Sequence, residues 1–346
     1  MTHRTLQSYT FVSPEIEQMM ASLSKESLLQ SLRNMQKIRH FELRAEAAYQ
    51  QGKIGGFFHS YMGQEAIQTA AVLAMGQEQW WATSYRCHAL ALLLGVSPNE
   101  LMAELYGKVT GNALGRGGSM HFFSKRLLGG FGIVGGQIPI AAGAAFAIRY
   151  ARHVSVDKHP CEVAVCFLGD GAVAQGSFHE SLNLAALWDL PCLFVIENNF
   201  WGMGTAVERA VSVAPIAESK AAGYGIKGYT LDGMDFFSCY RGFSKAFNEV
   251  KHDSRPILIE VLTQRFKGHS ISDPGLYRSK EHMQECMLRD PIKTFTKALL
   301  NYKIVTEEEV AKIDAEEREL VLAAMHFAEQ SPWPDPIHLE EDVLAP

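Results

Sequence analysis

Two short polar clusters, each closing an apolar run, carry the strongest chemical signal in this sequence. The first is Gly169-Asp170-Gly171; after 26 intervening residues, 172 to 197, comes Asn198-Asn199. An Asp carboxylate and an Asn carbonyl are hard oxygen donors that suit Mg2+, a cation that leaves other coordination positions to water and phosphate oxygens. Glycine on both sides of Asp170 lets the backbone turn sharply and approach a ligand. The helix that follows offers free N–H groups and a positive dipole end to an anion. Either cluster alone reads as an ordinary tight turn or loop pair. Together, their oxygen donors and the helix N-terminus would suit a cation and a phosphate group.

The elements that must position these residues are legible around them. Val163 to Leu168 is a continuous apolar run rich in β-branched residues, the pattern of a strand buried on both faces. Phe178, Leu182, Ala185 and Ala186 fall at i, i+4, i+7 and i+8, a helix with a core-facing stripe. Pro191 precedes a second buried strand, Cys192 to Ile196, which stops at Glu197. Strand, helix and strand make a parallel βαβ unit, so Asp170 and Asn199 lie at the carboxyl ends of neighbouring strands, where ligands of such sheets bind. Strands around Gly228–Leu231 and Pro256–Thr263, with a helix Phe236–Val250 between them, continue the alternation. Upstream, Ser24 can cap a long helix carrying Leu28, Leu32, Met35, Ile38 and Leu43, and Trp80 to Tyr85 form a short strand ending at Arg86. Near the end, Asp290-Pro291 starts a helix, and Thr306 to Glu309 is a capping box for a last helix carrying Val310, Ile313, Leu320, Ala324 and Phe327. The expected architecture is an α/β domain over residues 31–330, a mostly parallel sheet with helices on both faces. An N-terminal arm (1–30, irregular to about 23), a C-terminal tail (331–346) and helical arms at both ends complete it.

Three further stretches have chemical potential. Arg86 can pair bidentately with a phosphate, and His59 sits in a glycine-bounded loop, Gly55 to Glu65. Residues 107–136 are dense in glycine and suit a loop passing close to a ligand. They include a literal G-x-G-x-x-G at Gly130, Gly132 and Gly135, which raises a nicotinamide-binding Rossmann site. That fingerprint should directly follow a hydrophobic strand, whereas Ser124 to Leu128 is a poor strand and Pro139 interrupts the next helix, so the Rossmann reading is weak. No G-x-x-x-x-G-K-[ST] is present. The third stretch, Arg265 to Arg278, is a long polar loop punctuated by Pro and Gly, of the kind that is often functional.

Composition narrows the class. The 346 residues hold enough chain for a sizeable core, at 47% hydrophobic and 20% charged content. A net charge of −6 argues against a nucleic-acid binder, which shows a basic stripe. No apolar run reaches bilayer length, and the first residues lack the apolar core of a secretory signal. The six cysteines include no C-x-x-C pair, and Cys166 and Cys192 fall in core strands. The expected compartment is a reducing cytoplasm, with no nucleic-acid or membrane partner.

These motifs, taken in order, resemble the alpha subunits of the thiamine diphosphate-dependent 2-oxo acid dehydrogenases, most closely those of the pyruvate dehydrogenase first component. The resemblance runs from about residue 30 to about residue 330. It rests on Gly63-Gln64-Glu65-Ala66, Ser84-Tyr85-Arg86, Gly117-Gly118-Ser119-Met120-His121, Gly132-Ile133-Val134-Gly135, the Asp170/Asn199 motif, and Gly268-His269-Ser270 with Ser272-Asp273-Pro274. It implies a thiamine diphosphate-binding fold and Mg2+ held by Asp170, Asn199 and the backbone carbonyl of Trp201, where the family usually has Tyr. It also implies diphosphate contacts from Tyr85, Arg86 and His269, and a cofactor lining from Gly132, Val134, Gly171 and Ala172, with Ser124 at the edge. His59 matches the histidine near the substrate, so His59 and His269 are the expected catalytic pair.

The implied reaction is oxidative decarboxylation of a small 2-oxo acid with acyl transfer to a lipoyl-bearing acyltransferase. In this family a beta subunit supplies the glutamate that activates the cofactor, so the resemblance implies an active site shared in an α2β2 heterotetramer. Acetoin dehydrogenase alpha subunits share nearly all these motifs and are the alternative. A branched-chain 2-oxo acid enzyme fits less well at Gly117-Gly118-Ser119-Met120 and Gly268-His269-Ser270-Ile271. The nicotinamide reading rests on the weak fingerprint alone, and the intact Asp170, Asn199 and His269 argue against a non-catalytic scaffold. The loop Pro274 to Tyr277 lacks the second serine that eukaryotic relatives phosphorylate, although Ser270 is present.

Overall fold

Parallel pairing dominates the computed structural model, which describes residues 5–6, 9–11, 16–154, 162–338 and 340–341. The strands in chain order are β1 (Trp80–Ser84), β2 (Leu127–Phe131), β3 (Ala164–Gly169), β4 (Cys192–Asn198), β5 (Trp201–Gly202), β6 (Thr205–Ala206), β7 (Lys227–Asp232) and β8 (Ile257–Leu262). Six of them form one sheet in the order β2-β1-β3-β4-β8-β7, with every pair parallel, while β5 and β6 make a small antiparallel ribbon. The order reverses between β1 and β3, and such a switch point opens a crevice beyond the strands' carboxyl ends.

The central strands bury both faces, so alternate residues enter separate cores. Val165, Phe167, Leu193, Val195 and Ile259 face one side, where they meet α2 (Lys25–Gln50), α3 (Glu65–Met75), α4 (His88–Leu93), α5 (Pro98–Leu105) and α10 (Phe236–Asp253). Cys166, Leu168, Phe194, Ile196 and Leu258 face the other, against α6 (Gln137–Val154), α7 (Gly176–Leu187) and α9 (Ile216–Ala222). The remaining helices are α1 (Ile16–Ser22), α8 (Val207–Ala210), α11 (Lys280–Leu288), α12 (Pro291–Asn301) and α13 (Glu307–Gln330). α13 packs along α2 and α5, and a helix, α1, occupies part of the segment expected to be an irregular arm.

Local signals set the helix starts. Ser24 caps α2 through Ser27 N–H, Asp290 caps α12 through Ile292 N–H, and Thr306 with Glu309 forms the reciprocal box of α13. Two apolar stripes differ from expectation. Leu43 is exposed, and the inward position beside it belongs to Glu42, whose buried carboxylate meets His88 Nδ1 at 3.0 Å. In α13 Leu320 and Phe327 are exposed while Val321 and Ala328 are buried, because the face that meets α2 is offset by one residue.

Of Ser124–Leu128, expected to be a poor strand, only the last two residues are strand, and they open an edge strand, β2, that runs on to Phe131. Leu127 is buried against β1, and Gly130 allows a close approach: a Cβ there would meet Cys87 Sγ and Met120 O at 2.6 Å. Glycines needed for contact hide the apolar alternation. Pro139 sits in the first turn of α6, where a missing N–H breaks no helical bond. The C-terminal segment is pinned to the glycine-rich stretch by Val109 N–H to Pro332 O (3.1 Å), Thr110 to Ser331 (2.7 Å) and Lys108 over the Trp333 ring.

Gly63 locks the turn before α3 against the exit of β8. Its φ is +95°, and an added Cβ would run into Gln264 O and, at 2.8 Å, the Phe266 ring. Gly63→Ala should therefore destabilise the protein by about 2 kcal/mol or more, measured by urea unfolding. A loss within experimental error would show that the turn relaxes freely.

Candidate active site

A cleft of about 550 Å³ opens at the carboxyl edge of the sheet, over the exits of β1, β3 and β4 and the loops after β2 and β8. It brings together His59, Tyr85, Arg86, Gly132, Val134, Asp170, Gly171, Ala172, Asn199, Trp201 and His269. Ser124 is not among its lining residues. Its hydroxyl accepts the Leu127 N–H (3.0 Å) and the Arg126 N–H (3.3 Å), closing the turn into β2.

Asp170 and Asn199 are neighbours because β3 and β4 pair in register, Gly169 opposite Glu197. Asp170 opens a 3₁₀ turn, Asp170–Ala174, and is almost fully buried. Burial pushes its carboxyl up to about 6, against the opposing pull of the Arg265 guanidinium. In the Asn pair the two side chains have different partners. Asn198 donates to Glu260 (2.7 Å) and accepts the Phe200 N–H (2.9 Å), fixing the strand end, whereas Asn199 lines the cleft. Beyond it Phe200 and Met203 hold left-handed backbone, φ +69° and +55°, the kind of local strain that persists where surroundings impose it. The result is the β5–β6 ribbon, with Gly202 brought against Gly171, where a Cβ on Gly202 would lie 3.5 Å from the Gly171 Cα.

On the opposite wall Arg86 ties two loops together, donating to Ser60 O and to His269 O, both at 2.7 Å. His59 Nδ1 lies 2.9 Å from the same His269 carbonyl. A carbonyl only accepts, so Nδ1 carries the proton and Nε2 the lone pair. The two imidazoles are 4.9 Å apart, and Tyr85 packs on His59 at 4.3 Å. Burial first, then the charge of Arg86, lowers His59 to about 4 and His269 to about 3. Both rings are neutral at pH 7. Arg86 is itself lowered to about 10, by burial and then by Arg265.

Several residues at the site carried no clear sequence signal. Glu197 lies under the cleft, accepting from Tyr61 and from Gln68 Nε2 (3.2 Å), and burial raises its carboxyl to about 7. Arg265 is 1% exposed and reaches Asn199. Gln64, from the quoted Gly63-Gln64-Glu65 motif, is fully buried at the cleft with neither amide atom partnered. Glu104 of α5 accepts four backbone N–H groups, from Ala113, Gly115, Gly117 and Gly118, so one buried carboxylate folds the glycine-rich loop that leads to Met120 at the cleft. Nothing marks Glu104 in an otherwise ordinary amphipathic helix.

The sequence model described as Dehydrogenase E1 component matches residues 33–337. The chain belongs to this family. Among its relatives, the pyruvate dehydrogenase E1 component subunit alpha of Rickettsia conorii is 43% identical over 314 residues, 90% of this chain and 94% of the relative. The subunit of that name from Rhizobium meliloti is 41% identical over 327 residues, covering 94% and 92%. The chloroplastic alpha-3 subunit of Arabidopsis thaliana is 40% identical over 326 residues, covering 93% and 76%. The six-stranded parallel sheet with a cleft at its carboxyl edge is thus the frame of an E1 dehydrogenase component.

The Asp170 carboxyl predicts an unusual stability profile. Its value in the folded, cofactor-free protein lies above the ordinary 3.8, so its contribution is fully present below pH 3.8 and is lost as pH rises through about 6. At pH 8 the buried carboxylate is a standing cost. Asp170→Asn should stabilise the cofactor-free protein by about 1–3 kcal/mol at pH 8, with the gain shrinking at pH 5. Denaturant melts of parent and variant at both values check this; equal stabilities at pH 8 would contradict it.

Proposed function

We propose that this chain is the alpha subunit of a pyruvate dehydrogenase E1 component, binding thiamine diphosphate through Mg2+ and decarboxylating pyruvate for acetyl transfer to a lipoyl domain. The observation that carries the reading is the meeting of Asp170, Asn199 and Trp201 at one cleft, in a chain about 40% identical along nearly its whole length to subunits of that name. The residues present fit the cofactor. Gln64 and Gln137 Oε1 leave buried polar atoms unpartnered at the cleft, groups that a polar ligand or its water would satisfy. The donor set is one carboxylate with amide and carbonyl oxygens, and no group of three His, Cys, Asp or Glu side chains placed to hold a metal ion occurs among the described residues. Such a set suits a hard cation that is completed by phosphate oxygens.

Asp170, Asn199 and the Trp201 carbonyl would hold Mg2+, with Tyr85, Arg86 and His269 toward the diphosphate and Gly132, Val134, Gly171 and Ala172 along the cofactor. Bound there, thiamine diphosphate supplies the electron sink for loss of carbon dioxide from a 2-oxo acid. The chain's own part is binding, orientation and proton handling. His59, neutral and held by its Nδ1–H, keeps Nε2 as a proton acceptor; His269, neutral and adjacent, adds a second imidazole. Arg86 fixes both by clamping the His269 carbonyl.

A beta subunit completes the site in an α2β2 assembly, a reading supported by apolar side chains left exposed at the cleft rim: Phe57 (61%), Ile133 (79%) and Val134 (45%). The lipoyl-bearing acyltransferase is the second partner. Residues 31–330 are read as the cofactor-binding unit. A reducing cytoplasm accords with the five described cysteines, all free and buried. Among the described residues no helix is long and apolar enough to cross a membrane.

The test is thiamine diphosphate- and Mg2+-dependent turnover by this chain produced with its beta-type partner, on pyruvate, acetoin and a branched 2-oxo acid with an artificial electron acceptor. Pyruvate should be preferred, and the chain alone should give almost no turnover. Robust activity without the partner would refute the shared site, and a preference for acetoin would refute the substrate. In the same assembly Asp170→Ala should abolish Mg2+-dependent cofactor binding measured by calorimetry, since it removes the only carboxylate of the set. Full retained affinity would sink the cation assignment.

A further inference from the structure

Arg265 lies just beyond the end of β8, 1% exposed, and its guanidinium is aimed at the loop that follows β4. Nε donates to Asn199 Oδ1 at 3.0 Å. Nη2 reaches Trp201 O and Met203 O, each at 3.4 Å, and the Tyr277 hydroxyl at 3.3 Å. Two of the three oxygens read above as cation ligands thus converge on one buried side chain from the loop after β8. We propose that Arg265 is a positioning residue for the cation site, holding Asn199 Oδ1 and Trp201 O in place from behind. The inference rests on the cofactor reading and extends it to a residue that touches neither metal nor substrate.

Three features support it. Each carbonyl-type oxygen has two lone pairs, so donation from Arg265 to one leaves the other for a cation. The rigid planar guanidinium addresses the two oxygens from two separate nitrogens, Nε and Nη2, in fixed geometry, whereas a lysine ammonium offers all its donors from one atom on a flexible stem. The third feature is charge. No carboxylate pairs with Arg265 among the described residues, and its Nη1 is buried without a partner, leaving a positive charge in the interior held by neutral oxygens and one hydroxyl. Such a group is costly unless a bound anion compensates it. A diphosphate together with Asp170 carries more negative charge than one divalent cation cancels, so the guanidinium and the cation can share the site. Groups that orient ligand oxygens from behind are typically worth roughly 10–100-fold in metal affinity.

The experiment uses the complete assembly with its beta-type partner, stripped of cofactor. Mn2+ serves as the probe, titrated by electron paramagnetic resonance at saturating thiamine diphosphate. Arg265→Lys keeps the charge and removes the fork; Arg265→Gln removes both. We expect Mn2+ affinity to fall roughly tenfold or more in Arg265→Lys and at least as far in Arg265→Gln, with the cofactor-free Arg265→Lys assembly melting near the parent. Should Arg265→Gln fail to fold, Arg265→Lys alone decides. Parent-like Mn2+ affinity in Arg265→Lys overturns the positioning role. Failure of the parent assembly itself to bind Mn2+ with thiamine diphosphate would instead overturn the cofactor reading, and with it this inference.

Discussion

The register between β3 and β4 is the constraint on which the rest of the site depends. Six residue pairs run from Ala164–Cys192 to Gly169–Glu197, every position of β4 is buried, and the two strands therefore end level with one another. Asp170 and Asn199 follow at those ends and have no other way to become neighbours. A slip of one residue would exchange the two faces of a strand that is apolar on both sides and shift its terminal side chain away from the cleft. The helices on either face, from α3 and α10 to α6 and α7, hold that pairing by filling both cores.

Against this rigid frame the cleft collects ionisable groups under poor solvation. Asp170, Glu197, Arg86 and Arg265 are all at least nine-tenths buried, and Glu197, Arg86 and Arg265 meet neutral hydrogen-bond partners in place of opposite charges. The raised carboxyls of Asp170 and Glu197 and the lowered guanidinium of Arg86 have one cause, the loss of water around a charge. Buried charges held by neutral partners cost stability. The same desolvation, with Arg86 adjacent, keeps His59 and His269 neutral, so the site presents imidazole lone pairs rather than further positive charge at physiological pH.

The walls of the cleft come from elements distant in the chain, each fastened by few contacts. Glu104 gathers the glycine-rich loop through four N–H groups, Arg86 bolts the His59 and His269 loops together, and Arg265 braces the turn after Asn199. The rim is left apolar and exposed at Phe57, Ile133 and Val134.

By itself the sequence determined the parallel α/β frame, because buried strands and capped helices announce themselves in local pattern and spacing. It also singled out Asp170 and Asn199, since each ends a strand of unmistakable type. It missed β2, whose Gly130 serves a close approach to Cys87 and Met120 that no local pattern encodes. It turned Leu28, Leu32, Met35 and Ile38 of α2 and Ile313 and Ala324 of α13 inward correctly, but placed Leu43, Leu320 and Phe327 inward where the neighbouring Glu42, Val321 and Ala328 are the buried residues. Ser124 resembled a site residue and is a turn residue. Arg265, Glu104 and Glu197 became visible only in three dimensions. Their partners lie 66 residues away for Asn199, 9 to 14 for the glycine loop and 136 for Tyr61. Periodicity reports which face of an element is buried, but the partner of a buried charge is chosen by how distant elements pack, and that only the tertiary structure decides.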